Sequence, residues 1–454
     1  MDLYKQIYAN LIKPLWLKYN GENHLRYLPE LERFHKKSLE EIRDYQLSKL
    51  QGIITEAYDS VPFYRQEWDE IGLKPQDIQQ LEDIKKIPIL TKDKLRAHTD
   101  EFISDKANRD DLIVSGTGGT TDSPIQLMYD RERLLFKTAE MDFFRQWWDW
   151  DLGDKVAYLW GAPQDIPNMK SLKWKIINAF FGRKLFLFSS LMDDTIMEEY
   201  IQKINKFRPG ILQAYTNPVY ILAQYILKKE IKVYRPKSVV LTAEPCHDYQ
   251  RKSIEKAFNA PVYTFYGCRE TGYAGAECSE HEGYHLNSSS LYTEIIHDNL
   301  DAQPGEMGSV IFTDLLNTKM PFIRYQIGDM GIPDDKPCPC GSVLPKMKFF
   351  AGRETDVFIT PDGKYIPGVS LCDRIIEGCK GIRALQFVQD EPDKIVVKIV
   401  KGEIFSEKDI AGLDKRIFSY FQGTLQISKV FVDEIPKEKS GKTSFCICNI
   451  NKNF

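Results

Sequence analysis

Two sets of residues in this 454-residue chain have the types and spacing to do chemistry. The first is SGTGGTTDSP at 115–124, where Gly116, Gly118 and Gly119 alternate with Ser115, Thr117, Thr120 and Thr121. Glycines let backbone N–H groups approach a phosphate closely, and hydroxyls can donate to its oxygens. The stretch lacks the G-K-[S/T] ending of a Walker A loop, and its composition alone equally suits a surface turn. The second set is Cys278 in ECSEHEGYH, followed by His281 and His285, and then Cys338 and Cys340 in KPCPCG. Three thiolates and one imidazole would close a tetrahedral zinc site of the structural type, and either histidine could serve.

Further along, five short stretches occur in order: TAEP (242–245), YGCRETG (266–272), FIRYQIGD (322–329), GRETD (352–356) and PKEKSGK (436–442). Each is a weak signal. As an ordered series with the glycine-rich loop, they resemble the adenylate-forming superfamily of acyl- and aryl-CoA synthetases, adenylation domains and luciferases, over nearly the whole chain. The helical N-terminus with AYDSVPFYRQEWDEIGLKPQDI, the doubled glycine of TGGTTDSP and the CPCG segment are most similar to phenylacetate–CoA ligases and their relatives linked to capsule biosynthesis. The resemblance implies two half-reactions: ATP activates a carboxylic acid as acyl-AMP, and a thiol, usually coenzyme A, displaces AMP.

It also assigns residues. Ser115, Thr117, Gly118, Gly119, Thr120 and Thr121 would hold the β- and γ-phosphates, and Glu270 would hold Mg²⁺. Ala243, Glu244, Pro245, Tyr266 and Gly267 would line the adenine pocket. Asp329 would accept both ribose hydroxyls, as a carboxylate suits two adjacent donors. Arg353 would contact the nucleotide near the domain junction, and Lys442 would approach the α-phosphate and the acid. Members of the branch carry a similar Cys…His…Cys-x-Cys set, which favours Cys278, His285, Cys338 and Cys340 as zinc ligands, with His281 the alternative.

Departures from the family pattern bear on substrate and acceptor. Asp122 and Ser123 stand where glycine and lysine are frequent, and a carboxylate beside a triphosphate is unfavourable unless offset. Arg269 replaces a common threonine and could supply compensating charge. Thr355 replaces the aspartate frequent at the rotation point. Other outcomes stay open: transfer to a carrier protein, an amine, or a hydroxyl of a sugar or cofactor, or a non-catalytic member that binds nucleotide. A homodimer is expected only from base rate and resemblance.

The chain must hold these residues in place, and its composition allows a large core. Hydrophobic residues make up 43% and charged residues 28%, a globular balance. The net charge of −4 gives no reason to expect nucleic-acid binding. No apolar run of about 18 residues exists, so no transmembrane helix is expected. Nine cysteines without an export signal point to reduced thiols in the cytoplasm. Cys446 and Cys448 alternate on an expected strand and read as packing, while Cys246, His247 and Cys268 read as structural.

The expected fold is α/β. A large N-terminal domain (1–352, with 1–110 mainly helical) would carry a mainly parallel sheet, from KVAYLWG, GILQAY, SVVLTAE and APVYTFYG alternating with helices. A small, mobile α+β C-terminal domain (353–454) would follow. Leu134, Met141, Phe144 and Trp148 are expected on one helical face, and Asn217 as a helix cap before Pro218. Leu3, Ile7, Leu11 and Leu15 recur every four residues, which predicts a helix docked by that stripe.

Overall fold

The computed structural model of the chain describes residues 3–116, 126–160, 171, 177–189, 192–353, 357–361, 365–367, 375, 381–402, 404–421, 425–436 and 446–450. The N-terminal third is helical, as its periodicity predicts. Ser38 starts the helix Leu39–Ser60 with a full capping box: its hydroxyl accepts from Glu41 N–H, and the Glu41 carboxylate accepts from Ser38 N–H at 2.8 Å. Ile42, Leu50, Ile53, Ile54 and Ala57 make the buried stripe. Val61 breaks it, and Pro62 opens the next helix, Pro62–Glu70, where its missing N–H costs nothing. Tyr64 and Trp68 from that helix pack with Phe102, Phe312, Phe322 and Tyr325 in one core cluster.

The main sheet has twelve strands among the described residues. A separate hairpin of β1 (Ile113–Gly116) and β2 (Gln126–Tyr129) precedes it, and the sheet itself begins with β3 (Val156–Trp160), β4 (Lys184–Phe188), β5 (Ile211–Tyr215), β6 (Ser238–Thr242) and β7 (Val262–Cys268). These last five pair in parallel, in the order β4-β3-β5-β6-β7. From β7 the sheet continues antiparallel through β8 (Gly272–Glu277) and β9 (Tyr284–Leu286). The same sheet then holds β10 (Leu291–His297), β11 (Leu300–Asp301), β12 (Gly308–Asp314), β13 (Tyr325–Asp334) and β14 (Lys346–Arg353), so it is mixed, parallel in one half only. Helices cover both faces of the parallel half. Asp194–Phe207, Thr216–Lys229 and Asp248–Phe258 pack on one face through Leu159, Leu212, Val239 and Leu241. Arg131–Trp147 covers the other with Phe136, Phe143 and Phe144.

Three local expectations need correction. Leu134 is 37% exposed; the buried face of Arg131–Trp147 instead runs through Leu135, Phe136, Ala139, Phe143 and Phe144. The helix after β5 begins at Thr216, so Asn217 is not its cap; the Glu244 carboxylate accepts from Asn217 N–H at 2.9 Å and satisfies that helix end instead. At the N-terminus, Ile7, Leu11 and Leu15 face outward while Tyr8 and Leu17 are buried. Docking uses the other side of the helix: Trp16 stacks on Phe181 at 4.0 Å, and the Tyr8 hydroxyl donates to the Phe181 carbonyl at 2.6 Å.

Near the C-terminus a second unit packs on its own core. β15 (Val357–Ile359) and β16 (Tyr365–Pro367) form a hairpin. β17 (Ile382–Glu391) and β18 (Lys394–Lys401) form another, flanked in parallel by β19 (Gln426–Phe431) and β20 (Cys446–Cys448). Leu413, Ile417 and Phe421 of the helix Glu407–Phe421 join Leu385, Phe387 and Ile395 in that core. Cys446 and Cys448 lie on one side of β20, both buried, as their alternation predicts.

Candidate functional site

In open α/β sheets ligands bind beyond the carboxyl ends of the parallel strands. Two of the sequence stretches emerge there. After β6 the chain turns through Ala243 at φ 73°, a left-handed conformation that a non-glycine residue adopts only when its surroundings impose it. Glu244 supports the turn: its carbonyl accepts from the Thr216 hydroxyl at 2.9 Å, besides the cap its carboxylate provides.

β7 ends in Tyr266, Gly267 and Cys268. A Cβ on Gly267 would lie 2.4 Å from the Gly272 carbonyl, so only glycine allows the closed hairpin to β8. Arg269, Glu270 and Thr271 form the turn of that hairpin. Glu270 is buried, and the Tyr325 hydroxyl donates to its Oε1 at 3.4 Å. Its carbonyl, and that of Arg269, each accept from the Tyr129 hydroxyl at 2.8 Å and from Lys137 Nζ at 3.1 and 3.0 Å. Burial, with the Arg133 guanidinium nearby, pushes the Lys137 ammonium down to about 8. Burial likewise raises the Cys268 thiol, which faces the Thr271 hydroxyl at 3.0 Å.

Asp329 reaches the same region from β13. It follows Gly328 at φ 81°, and the Tyr266 hydroxyl donates to its Oδ2 at 2.8 Å. Arg353, on β14, is its antiparallel partner. One hydrogen bond thus joins YGCRETG to FIRYQIGD, and one strand pairing joins FIRYQIGD to GRETD. Ser115 sits on β1 opposite Leu127 of β2, and β2 ends at Tyr129, which grips the Glu270 turn. The stem of the glycine-rich loop is therefore anchored beside Glu270.

Thr117, Gly118, Gly119, Thr120, Thr121, Asp122, Ser123, Thr355 and Lys442 lie outside the described residues, as does the side chain of Arg353. The structure brings together Tyr266, Gly267, Glu270 and Asp329 with the backbone of Arg353, and places Ala243, Glu244 and Pro245 at the end of β6, the strand beside β7. Sequence reasoning missed Tyr129, Lys137 and Tyr325. Tyr325 lay inside a quoted motif; Tyr129 and Lys137 act on backbone carbonyls 132 to 141 residues away, which leaves no residue-type signal.

Behind the turn lies a buried ionic network. Arg133 Nε donates to both Asp314 oxygens, at 3.1 and 3.0 Å, and its Nη1 lies 3.4 Å from Glu140. The other Glu140 oxygen accepts from Asn287, Ser289 and Ser290. These are buried charges that are both paired and hydrogen-bonded, as burial requires.

The cysteine and histidine set also converges. The ligand atoms of Cys278, His285, Cys338 and Cys340 all lie within 4.8 Å of one another. Cys278 and Cys338 sulfurs are 3.6 Å apart, and Cys340 sulfur is 3.4 Å from His285 Nε2. A tetrahedron with Zn–S near 2.3 Å and Zn–N near 2.0 Å has edges of about 3.7 and 3.5 Å, so the set fits one zinc ion. His281 points elsewhere, with Nδ1 3.2 Å from Glu277 and its ring stacked on Tyr263. His285, opposite Ala276 and Lys346 in β9, is the imidazole of the set.

Residues 358–449 match the CapK C-terminal domain family. The chain is 29% identical to Protein CapK of Staphylococcus aureus, covering 81% of each. It is 25% identical to phenylacetate-coenzyme A ligase of Thermus thermophilus, covering 74% of this chain and 75% of that one. Among solved structures, 2-hydroxyisobutyryl-CoA ligase in the postadenylation state shares the fold over 92% of both chains, with a TM-score of 0.75 at 18% identity. The same enzyme in the thioesterification state gives 0.62. The fold is that of the adenylate-forming enzymes among these solved structures. Its sequence is similar to CapK and to the phenylacetate–CoA ligases.

Proposed function

We propose that this protein activates a carboxylic acid with ATP and transfers the acyl group to the thiol of coenzyme A. The observation that carries this reading is the Tyr266–Asp329 hydrogen bond beside buried Glu270, at the carboxyl edge of the sheet. In the first half-reaction a carboxylate oxygen attacks the α-phosphorus, an acyl–O–P bond forms, and pyrophosphate leaves. In the second the thiol, losing its proton, attacks the acyl carbon and AMP departs with that oxygen.

Little covalent chemistry falls to the protein, so its residues position groups and neutralise charge. Asp329, oriented by Tyr266, accepts the ribose hydroxyls. Tyr266 and Gly267 form one wall for adenine, and the Ala243–Pro245 turn forms another. Ser115 and the loop that follows receive the distal phosphates. Glu270 is the residue that would hold Mg²⁺, which offsets phosphate charge when bound. Arg353 meets the nucleotide at the edge of β14. Lys442 approaches the α-phosphate and supplies positive charge as the bond forms. Residues 353–454 turn as a unit between half-reactions, first delivering Lys442 and then admitting the thiol. Cys278, His285, Cys338 and Cys340 would hold a zinc ion of the structural type, which pins the segments that carry them.

A second acceptor deserves a parallel test, because the family match of the C-terminal unit is to CapK rather than to a ligase. In that reading adenylation is unchanged and the acyl group passes to a carrier-protein thiol, an amine or a hydroxyl. Pyrophosphate release is measured over a panel of carboxylic acids, followed by product analysis with coenzyme A and with a phosphopantetheinyl carrier protein. The proposal predicts acid-dependent pyrophosphate and an acyl-CoA. Failure of every acid to release pyrophosphate rejects it, and release with no thioester to CoA moves it to the second acceptor.

A further inference from the structure

We infer that Lys137 is a positioning residue for the adenylation half-reaction, acting by clamping the turn that carries Glu270. This rests on the adenylation reading and adds to it a residue that none of the sequence motifs contains.

Lys137 stands on the helix Arg131–Trp147. Its ammonium donates to two successive carbonyls, Arg269 at 3.0 Å and Glu270 at 3.1 Å, and lies 4.0 Å from the centre of the Tyr129 ring. In an extended strand successive carbonyls point to opposite sides. Here two in a row point to one side, which fixes the backbone on either side of Glu270 and therefore the direction in which its carboxylate leaves the chain. Two aligned carbonyl dipoles repel each other and need a donor between them. The Tyr129 hydroxyl has one proton to share between both oxygens, whereas an ammonium has three.

The arrangement continues one turn back on the helix. Arg133, at i−4 and hence on the same face, donates to the Thr271 carbonyl at 3.4 Å. Carbonyls 269, 270 and 271 are thus all held by one helix face. The lysine stem needs space to get there: a Cβ on Gly272, at φ 87°, would come 2.9 Å from Lys137 Cε. An ammonium desolvated in this way is costly, and an apolar residue would pack the helix without that cost. Around it stand Arg133, Asp314, Glu140 and Cys268. The two carbonyls and the Tyr129 ring are the contacts that a chain gains by keeping a lysine here.

The test uses full-length Lys137→Met and Lys137→Arg. ATP binding is measured by calorimetry across a Mg²⁺ titration, AMP binding without Mg²⁺ serves as the internal control, and acid-dependent pyrophosphate release gives kcat and the acid KM. The expected result for Lys137→Met is a kcat at least tenfold lower and a several-fold higher Mg²⁺ requirement for ATP binding. AMP affinity and the acid KM stay within twofold of the parent, and Lys137→Arg recovers kcat to within about threefold. A parent that binds MgATP with a Lys137→Met variant that matches it in Mg²⁺ requirement and kcat overturns the inference and leaves the adenylation reading intact. Loss of AMP affinity in step with kcat, unrescued by arginine, assigns Lys137 to general folding and also overturns it. A parent that binds no MgATP removes the adenylation reading itself.

Discussion

Asp329 concentrates the nucleotide argument in one side chain. The Tyr266 hydroxyl donates to it at 2.8 Å, and in the proposed function it accepts both ribose hydroxyls. Replacing it with alanine removes two hydrogen bonds to a charged acceptor, each worth about 1.5–3 kcal/mol. Asp329→Ala is therefore expected to weaken ATP at least 100-fold in calorimetry, and Tyr266→Phe only several-fold. Equal effects of the two would mean that Asp329 holds Tyr266 and not the ligand. That YGCRETG and FIRYQIGD belong together was legible in the sequence from the order of the motifs, and the Tyr266–Asp329 and Tyr325–Glu270 hydrogen bonds join them. Glu244 was legible as part of TAEP, yet its carboxylate turns out to cap the helix Thr216–Lys229. Tyr129 and Lys137 were not legible, since a backbone carbonyl partner leaves no trace in residue type.

At the level of elements, the helix Arg131–Trp147 binds the site to the sheet through Arg133, Asp314 and Glu140, whose side chains are 1% exposed or less. Removing one partner of a buried ion pair leaves the others uncompensated and costs about 3–5 kcal/mol. Arg133→Met should lower the unfolding free energy by that order in denaturant titration, and Arg133→Met with Asp314→Asn by less. A single substitution that leaves stability unchanged would show that water already solvates the acids. β9 and the β13–β14 loop meet at the cysteine–histidine set, so Cys338→Ser should abolish bound zinc in elemental analysis and lower thermal stability. Less than half an equivalent of zinc in the parent, unchanged in the variant, rejects the metal. Strand positions were readable because buried parallel strands form short apolar runs. The helix faces were less so. Apolar side chains recur on both sides of Arg131–Trp147 and of the N-terminal helix, and periodicity alone does not say which side meets the sheet.

For the whole molecule, alternation of strand and helix announced the parallel half of the sheet. The antiparallel half was hidden, because β8 to β14 follow without helices and are set by hairpin closure at positions such as Gly267. The C-terminal α+β unit was expected from the sequence, and its core is formed among residues 358–448. Its proposed rotation predicts a split effect. Lys442→Ala should slow acyl-AMP formation about 100-fold or more, the scale of removing one transition-state charge partner. It should leave thioester formation from supplied acyl-AMP within a few-fold of the parent. Equal loss in both steps would contradict delivery of Lys442 in the first alone.

The central claim, activation of a carboxylate as its adenylate, is tested most directly by following one oxygen atom. An acid that supports turnover is supplied with both carboxylate oxygens as ¹⁸O, and the released AMP is weighed by mass spectrometry. The account predicts one ¹⁸O in each AMP formed, because the attacking oxygen stays on phosphorus when the thiol displaces AMP. AMP without the label, or the label in inorganic phosphate beside ADP, would contradict it.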